Sequence, residues 1–270
     1  MVEPGTKEVA VVDGLAVRRW RSSEPTDTSV VLVHGAMDRG ASFSRVVRRL
    51  EGVDVVVYDR RGYGESLGAA IAVGGPVTLA QHAQDLVDVA RWCDATRLVV
   101  VGHSIGGTIA VLAARDQGAA WAAVATYESP VPTLPGYRSD LGDAALDAAQ
   151  RWGDEAAAEH FYRAMIGDAT WDRLRAGDRA ARRAEGPALV GELRSLRGTR
   201  VDVAGLPVPL AVGVGGASGP YFSTQAAAQC AAAELDAPVV LAGAGHGAHL
   251  SHPGEFARFV SVACTEVPAS

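Results

Sequence analysis

A serine between two glycines is the feature of this sequence best suited to chemistry. The stretch Gly102-His103-Ser104-Ile105-Gly106 follows a short apolar run, 98–101, and precedes a helix-length stretch, 107–117. Glycines two positions on either side allow a sharp turn from strand to helix, so the hydroxyl of Ser104 projects from the turn. A helix N-terminus also favours negative charge. The pattern therefore predicts a nucleophilic serine.

The elements that position this turn are short apolar strands alternating with helices. Beyond a hairpin-like opening pair, 8–12 and 15–20, apolar runs occur at 30–33, 53–58, 98–101, 121–127, 210–214 and 238–242. Helix-length stretches at 42–50, 78–92, 107–117, 224–235 and 253–264 separate or follow them. Continuous apolar runs are typical of strands buried on both faces of a parallel sheet. The order predicts an α/β fold with a doubly wound, mostly parallel, eight-stranded sheet.

One segment interrupts the alternation. Proline-rich turns at 130–135 and 205–209 enclose a stretch without a convincing strand, in which apolar residues recur at helical spacing. We therefore predict a helical insertion at 131–204. The core then comprises 1–130 and 205–270.

Composition excludes several classes of function. The chain has 270 residues, 48% of them hydrophobic, and a formal net charge of −6 with acidic and basic residues interspersed. A nucleic-acid partner needs a basic stripe, and a membrane span needs about 18 apolar residues in a row. Neither pattern occurs, so we expect no nucleic acid, no membrane and a cytoplasmic location. The widely spaced Cys93, Cys230 and Cys264 indicate core residues, and the oligomeric state stays open.

Four stretches give the chain a resemblance to the α/β-hydrolase superfamily. They are His34-Gly35-Ala36-Met37, Asp59-Arg60-Arg61-Gly62-Tyr63-Gly64-Glu65-Ser66, Gly102-His103-Ser104-Ile105-Gly106 and Gly243-Ala244-Gly245-His246-Gly247-Ala248-His249. Their order and spacing are similar to those of superfamily members with a serine nucleophile, and the insertion matches the position of the helical cap. The resemblance covers nearly the whole chain. It implies no metal and no organic cofactor.

The resemblance also implies roles for individual residues. It makes His246 the base that takes the proton of the serine, and it assigns the oxyanion hole to the backbone N–H groups of Ala36 and Ile105. His249 and His252 follow His246 too closely and are predicted to begin the last helix.

The acid that orients the base is missing from its usual loop. Superfamily members place it after the strand that follows the cap, but no Asp or Glu occurs between Asp202 and Glu234, and Ala217 or Ser218 stands near that point. Haloalkane dehalogenases place the acid at the tip of the strand before the cap. By that resemblance the acid is Glu128. A structural salt bridge of Glu128, or a serine–histidine dyad, remains an alternative.

These residues predict acyl transfer to water from a small, largely apolar carboxylic ester, thioester or lactone substrate. A serine nucleophile disfavours the epoxide-hydrolase and dehalogenase chemistries, which use aspartate. A cofactor-free lyase or cyclase, or a non-catalytic binding protein, stays open as an alternative. Candidate pocket residues are Met37, Phe43 and Tyr221 beside the catalytic loops, with Phe161 and Trp171 in the cap, although helical spacing also fits simple packing.

Overall fold

A twisted sheet organises the part of the chain that this computed structural model describes, residues 6–117 and 121–265. Its eight described strands are β1 (Lys7–Val12), β2 (Leu15–Trp20), β3 (Thr28–Val33), β4 (Asp54–Tyr58), β5 (Arg97–His103), β6 (Ala123–Tyr127), β7 (Leu210–Gly215) and β8 (Val239–Leu241). They lie in the order β1-β2-β4-β3-β5-β6-β7-β8. The pairs β1–β2 and β2–β4 are antiparallel, and the remaining pairs are parallel.

Burial explains why the central strands are parallel. Every residue of β4 and β6 is buried, and so are five of the six residues of β3, because helices cover both faces of the sheet. On one face Val31 packs into the cluster that includes helices 79–93 and 105–117, whereas Val30 and Leu32 pack on the other face against the C-terminal helix, 253–265. This alternation follows from the period of two in a strand.

Twelve α-helices lie between or after the strands in the described part of the chain. They are α1 (Ser44–Val47), α2 (Leu67–Val73), α3 (Leu79–Cys93), α4 (Ile105–Gln117), α5 (Asp140–Trp152), α6 (Asp154–Ile166), α7 (Asp168–Arg173), α8 (Ala176–Arg183), α9 (Gly186–Gly198), α10 (Pro220–Ala232), α11 (Ala248–Ser251) and α12 (Pro253–Thr265). Two short 3-10 helices, Gly40–Phe43 and Gly64–Ser66, precede α1 and α2.

Helices α5 to α9 lie between β6 and β7 and form the inserted cap. The last of them, α9, packs closely on the core: a Cβ on Gly191 would lie 2.4 Å from the carbonyl oxygen of Val77. The hydroxyl of Ser195 accepts a hydrogen bond from the N–H of Leu79 at 3.1 Å. One cap helix is therefore fixed against the start of α3.

The predicted fold class is confirmed, and the predicted helices and strands are found with small shifts of their ends. Helix α2 was not predicted, because its small and apolar residues follow a glycine-rich turn. The cap boundaries at 131 and 204 stay a prediction. Over residues 6–117 and 121–265, no helix has the length and apolar character that crossing a membrane requires.

Candidate active site

Ser104 occupies a strained turn between β5 and α4. Its φ angle is +53°, in the left-handed region that residues with a side chain adopt at a cost of about 1–3 kcal/mol. The flanking glycines make the turn possible: a Cβ on Gly106 would lie 2.3 Å from the oxygen of Val33, and one on Gly102 would lie 2.3 Å from Gly107. Ser104 is only partly buried in this turn.

Glu128 and His246 form a hydrogen-bonded pair beside this turn. Glu128 follows the last residue of β6, and its φ of +47° is again left-handed. Its Oε2 lies 2.8 Å from Nδ1 of His246. The carboxylate side chain is fully buried, whereas the His246 side chain is 37% exposed. A carboxylate only accepts, so Nδ1 of His246 donates in this contact and Nε2 is the ring nitrogen left to accept a hydrogen bond.

The other oxygen of Glu128 is held by the end of β7 and the loop that follows it, which contains no carboxylate. Oε1 accepts a hydrogen bond from the N–H of Gly215 at 2.8 Å and another from the hydroxyl of Ser218. Ser218 thus lies in the loop where most α/β-hydrolases keep a carboxylate, and its hydroxyl donates to the carboxylate of Glu128, which follows β6. Both Glu128 oxygens are satisfied, as burial requires.

Two aromatic rings fix the orientation of His246. Phe222 stacks on the imidazole, with centroids 4.7 Å apart and planes inclined by 19°. On another side the ring of His103 lies 4.7 Å away, and its Nε2 is 2.8 Å from the carbonyl oxygen of His246. The sequence did not indicate Phe222, because contacts between distant loops leave no periodic signal.

His103 acts as a neutral donor. Burial, followed by the neighbouring His249 and His246, holds the pKa of His103 well below its usual range. A carbonyl oxygen can only accept, so Nε2 of His103 donates to the backbone of His246. This hydrogen bond ties the loop that contains His246 to the end of β5, next to Ser104.

The loop after β3 is supported by a second neutral histidine. The N–H of Arg60 donates to Nε2 of His34 at 2.9 Å, so the proton of His34 is on Nδ1, which lies 2.8 Å from the oxygen of Gly35. Burial and then Arg60 lower the pKa of His34 to about 4. With both ring nitrogens engaged by the backbone, His34 shapes this turn.

Asp38 and His249 make a further pair next to the site. Oδ2 of Asp38 accepts from Nε2 of His249 at 3.1 Å and from the hydroxyl of Ser42 at 2.9 Å, and Oδ1 accepts from the N–H of Arg39 at 2.8 Å. Asp38, His103 and His249 bring one possible ligand atom each within 4.8 Å of the others. Because both oxygens of Asp38 are engaged, the cluster serves as a hydrogen-bonded support of the loop after β3.

A cavity of about 580 Å³ contains the site and extends under the cap. Ser104, Glu128, His246 and both predicted oxyanion-hole residues, Ala36 and Ile105, line it. The inserted segment contributes a mostly apolar wall, with polar residues confined to its first stretch. The apolar and aromatic residues are Tyr137, Leu141, Phe161, Tyr162, Met165, Ile166, Leu193 and Leu196, and Arg138, Ser139, Asp140 and Gly142 line the cavity beside them.

The structure corrects two of the five predicted pocket residues. Met37, Phe161 and Tyr221 line the cavity. Phe43 does not: it is fully buried between His249 and Phe256, because the 3-10 helix turns its side chain into the core. Trp171 is also fully buried and packs within the cap against Tyr162.

The buried histidines predict an acid-labile fold. The pKa values of His34, His82 and His103 are all lowered, chiefly by burial. A histidine whose folded pKa lies below its unfolded value of about 6.5 contributes stability above that pH and loses it as the pH falls towards the folded pKa. We expect the free energy of unfolding to fall between pH 6.5 and 5 by up to about 1.4 kcal/mol per pH unit for each of them.

Urea unfolding at successive pH values measures this slope. His82→Gln removes one titrating group, so its slope below pH 6.5 is expected to be shallower than that of the wild type. Equal slopes for the two proteins would contradict the assignment of His82, and a flat wild-type profile would contradict all three.

The fold and the site together define a class of protein. The alpha/beta hydrolase family model matches residues 30–259. The chain therefore belongs to the alpha/beta hydrolase family.

Individual similar proteins fit this family. Human monoglyceride lipase is 26% identical over 106 residues, which cover 38% of this chain and only 35% of the lipase. A thermophilic esterase from Thermogutta terrifontis has a TM-score of 0.70 at 18% identity, covering 98% of this chain and all of the esterase. An N-acyl homoserine lactonase complexed with N-hexanoyl homoserine has a TM-score of 0.70 at 19% identity, covering 98% and 99%. Epoxide hydrolases are also among the similar structures. Identities this low show a shared fold alone.

Proposed function

We propose that this chain is a serine hydrolase that cleaves carboxylic esters of small, largely apolar acids through an acyl-enzyme on Ser104. The observation that carries the proposal is the hydrogen bond of 2.8 Å between Nδ1 of His246 and Oε2 of Glu128, at the edge of the cavity that Ser104 lines. Thioesters and lactones present the same carbonyl group to the site and belong to the proposed substrate range.

The first half-reaction forms the acyl-enzyme. Nε2 of His246 takes the hydroxyl proton as Oγ of Ser104 attacks the ester carbonyl carbon, and the carbonyl π electrons move to the oxygen. The buried anion of Glu128 stabilises the imidazolium that results. Collapse of the tetrahedral intermediate breaks the bond to the leaving alcohol, which receives the proton from His246.

The second half-reaction repeats these steps with water. His246 takes a proton from water, the hydroxide attacks the acyl carbon, and Ser104 leaves with the proton returned. The N–H groups of Ala36 and Ile105 are the proposed donors to the oxyanion in both halves. Ile105 begins α4, so its N–H has no acceptor one turn back within the helix.

The cap wall supports an apolar acyl group rather than a polar one. Leu141, Leu193 and Leu196 come from two cap helices and face the same cavity as Ser104. Each methylene transferred from water to such a surface contributes about 0.8 kcal/mol. The specificity constant should therefore rise with acyl length until the cavity is filled.

A series of p-nitrophenyl esters from acetate to dodecanoate tests the proposal. We expect kcat/KM to rise over the short esters, to reach a maximum and to fall for the longest. Leu193→Phe adds volume to the wall and is expected to lower kcat/KM for octanoate by at least about tenfold relative to acetate, since pocket contacts discriminate methylenes by factors of about 10 to 200. Ile71→Phe adds the same ring to a side chain that is 81% exposed and serves as the control.

The ester series, together with styrene oxide as a second substrate, separates the alternatives. An epoxide hydrolase would open styrene oxide and leave the esters intact, and a binding protein or lyase would release no p-nitrophenol above background. Absence of ester hydrolysis across the series would contradict the proposed function. An unchanged length profile in Leu193→Phe would contradict the assignment of the acyl pocket alone.

A further inference from the structure

The peptide between Gly35 and Ala36 links the oxyanion hole to residues outside the cavity. A trans peptide is planar, and its C=O and N–H bonds point in opposite directions. Whatever binds the oxygen of Gly35 therefore sets the direction of the N–H of Ala36. Two donors bind that oxygen: Nδ1 of His34 at 2.8 Å and Nη2 of Arg60 at 2.9 Å.

Arg60 is fixed by contacts on each of its nitrogens. Nε donates to the carbonyl oxygen of His34 at 3.0 Å, and Nη1 donates to Oε2 of Glu192 at 2.6 Å. The guanidinium carbon lies 4.8 Å from the ring centroid of Tyr63, and the side chain is fully buried. A rigid planar fork with these partners has one orientation, which is the one that reaches the oxygen of Gly35.

Glu192 is the anion that completes this arrangement, and it comes from cap helix α9. Its Oε1 accepts the hydroxyl of Tyr63 at 2.6 Å, and Nε2 of His82 lies 3.3 Å from Oε2. Burial opposes ionisation of the carboxyl, but Arg60 and then His82 outweigh burial and lower the pKa of Glu192 to about 2. Glu192 is also completely buried, so no solvent replaces it as the partner of Arg60.

We infer that Glu192 is a positioning residue for the oxyanion hole: by holding Arg60 on the carbonyl oxygen of Gly35, it aims the N–H of Ala36 at the reacting carbonyl. This inference rests on the proposed function. A charged donor on the carbonyl also polarises the peptide and strengthens the N–H as a donor. Packing of α9 on the core therefore also completes the oxyanion hole.

Glu192→Gln tests the inference, with Asp85→Asn as the matched control. Asp85 is a carboxylate on α3 that pairs with Arg61 at 2.7 Å, is as buried as Glu192, and makes no contact with the Gly35 peptide. Both variants neutralise a buried partner of an arginine, so both are expected to lower the melting temperature. Only Glu192→Gln is expected to lower kcat for the ester, by about 10- to 30-fold, which is part of the loss seen when an oxyanion donor is removed.

Two readouts separate positioning from general damage. KM for the short ester is expected to stay within about twofold, because the oxyanion forms only after binding. The affinity of Glu192→Gln for an alkyl boronic acid, which gives a tetrahedral adduct, is expected to fall by the same factor as kcat. Tyr63→Phe removes one hydrogen bond to Glu192 and keeps the ion pair, so a smaller fall in kcat, of about two- to fourfold, is expected from a variant that perturbs the fold less.

The outcomes are distinct. A kcat within twofold of wild type in Glu192→Gln, or an equal loss in Asp85→Asn, would overturn the inference and leave the proposed function intact. If Glu192→Gln does not fold, an unchanged boronic acid affinity and kcat in Tyr63→Phe would overturn it. A wild-type protein that neither hydrolyses the ester nor binds the boronic acid would overturn the proposed function, and the inference with it.

Discussion

Ser104→Ala is expected to lower kcat for the preferred p-nitrophenyl ester by about 10⁶-fold, which corresponds to about 8 kcal/mol of activation free energy. The reason is that His246 and Glu128 then have no hydroxyl to activate, and only the oxyanion donors and binding remain. The left-handed φ of Ser104 is as available to alanine as to serine, so the melting temperature should change little.

A matched control makes this result specific. Ser261→Ala removes a hydroxyl from α12 that donates to the oxygen of Ala257, one turn earlier in the same helix, at 3.1 Å. It should retain wild-type kcat. Residual activity of Ser104→Ala above about one percent, in protein free of wild-type contamination, would mean that Ser104 is not the nucleophile.

Glu128→Gln is expected to lower kcat by about 10³- to 10⁴-fold. An amide keeps the size of the carboxylate but removes the charge that stabilises the imidazolium, and its NH₂ group can turn towards Nδ1 and favour the wrong tautomer of His246. The bonds from Gly215 and Ser218 to Oε1 can be kept by the amide oxygen, so the loss of stability should be small.

A second-site variant sharpens this prediction. Ser218 donates a hydrogen bond to Glu128 from the loop after β7, where most α/β-hydrolases keep the acid. Ser218→Asp would supply a carboxylate from the loop after β7. In the Glu128→Gln background it should therefore raise kcat by at least about tenfold over that of Glu128→Gln alone. A purely structural Glu128 predicts the reverse pattern, with lowered melting temperature, kcat within tenfold of wild type and no rescue.

The turn at Ser104 could be predicted from sequence because it depends on local chemistry, whereas the proposal of Glu128 as the acid came from the resemblance to haloalkane dehalogenases. Glycines at 102 and 106 signal the turn, and a carboxylate at the tip of an apolar strand needs a partner. The loop after β7 lacks a carboxylate, the resemblance pointed to Glu128 instead, and Oε2 of Glu128 lies 2.8 Å from Nδ1 of His246. The alternation of apolar runs and helices likewise predicted the α/β fold class, but not the order of the strands in the sheet.

The supports of the site could not be predicted, since they join residues far apart in the chain. Phe222 meets His246, and Glu192 meets Arg60 across 132 positions, and neither pair has a periodic or spacing signal. The prediction for Phe43 was wrong for a related reason: nearness in sequence to the loop after β3 does not decide which side of a short helix faces the cavity. Only the three-dimensional packing makes that choice.

Covalent labelling with a fluorophosphonate, followed by peptide mass mapping, tests most directly the claim that Ser104 is a nucleophile activated by His246 and Glu128. We expect one phosphonyl adduct per chain, on the peptide that contains Ser104. Labelling should be absent in Ser104→Ala and slowed by at least about 10²-fold in Glu128→Gln and in His246→Ala. An adduct on another residue, or active wild-type enzyme that carries no adduct after prolonged treatment, would contradict the claim.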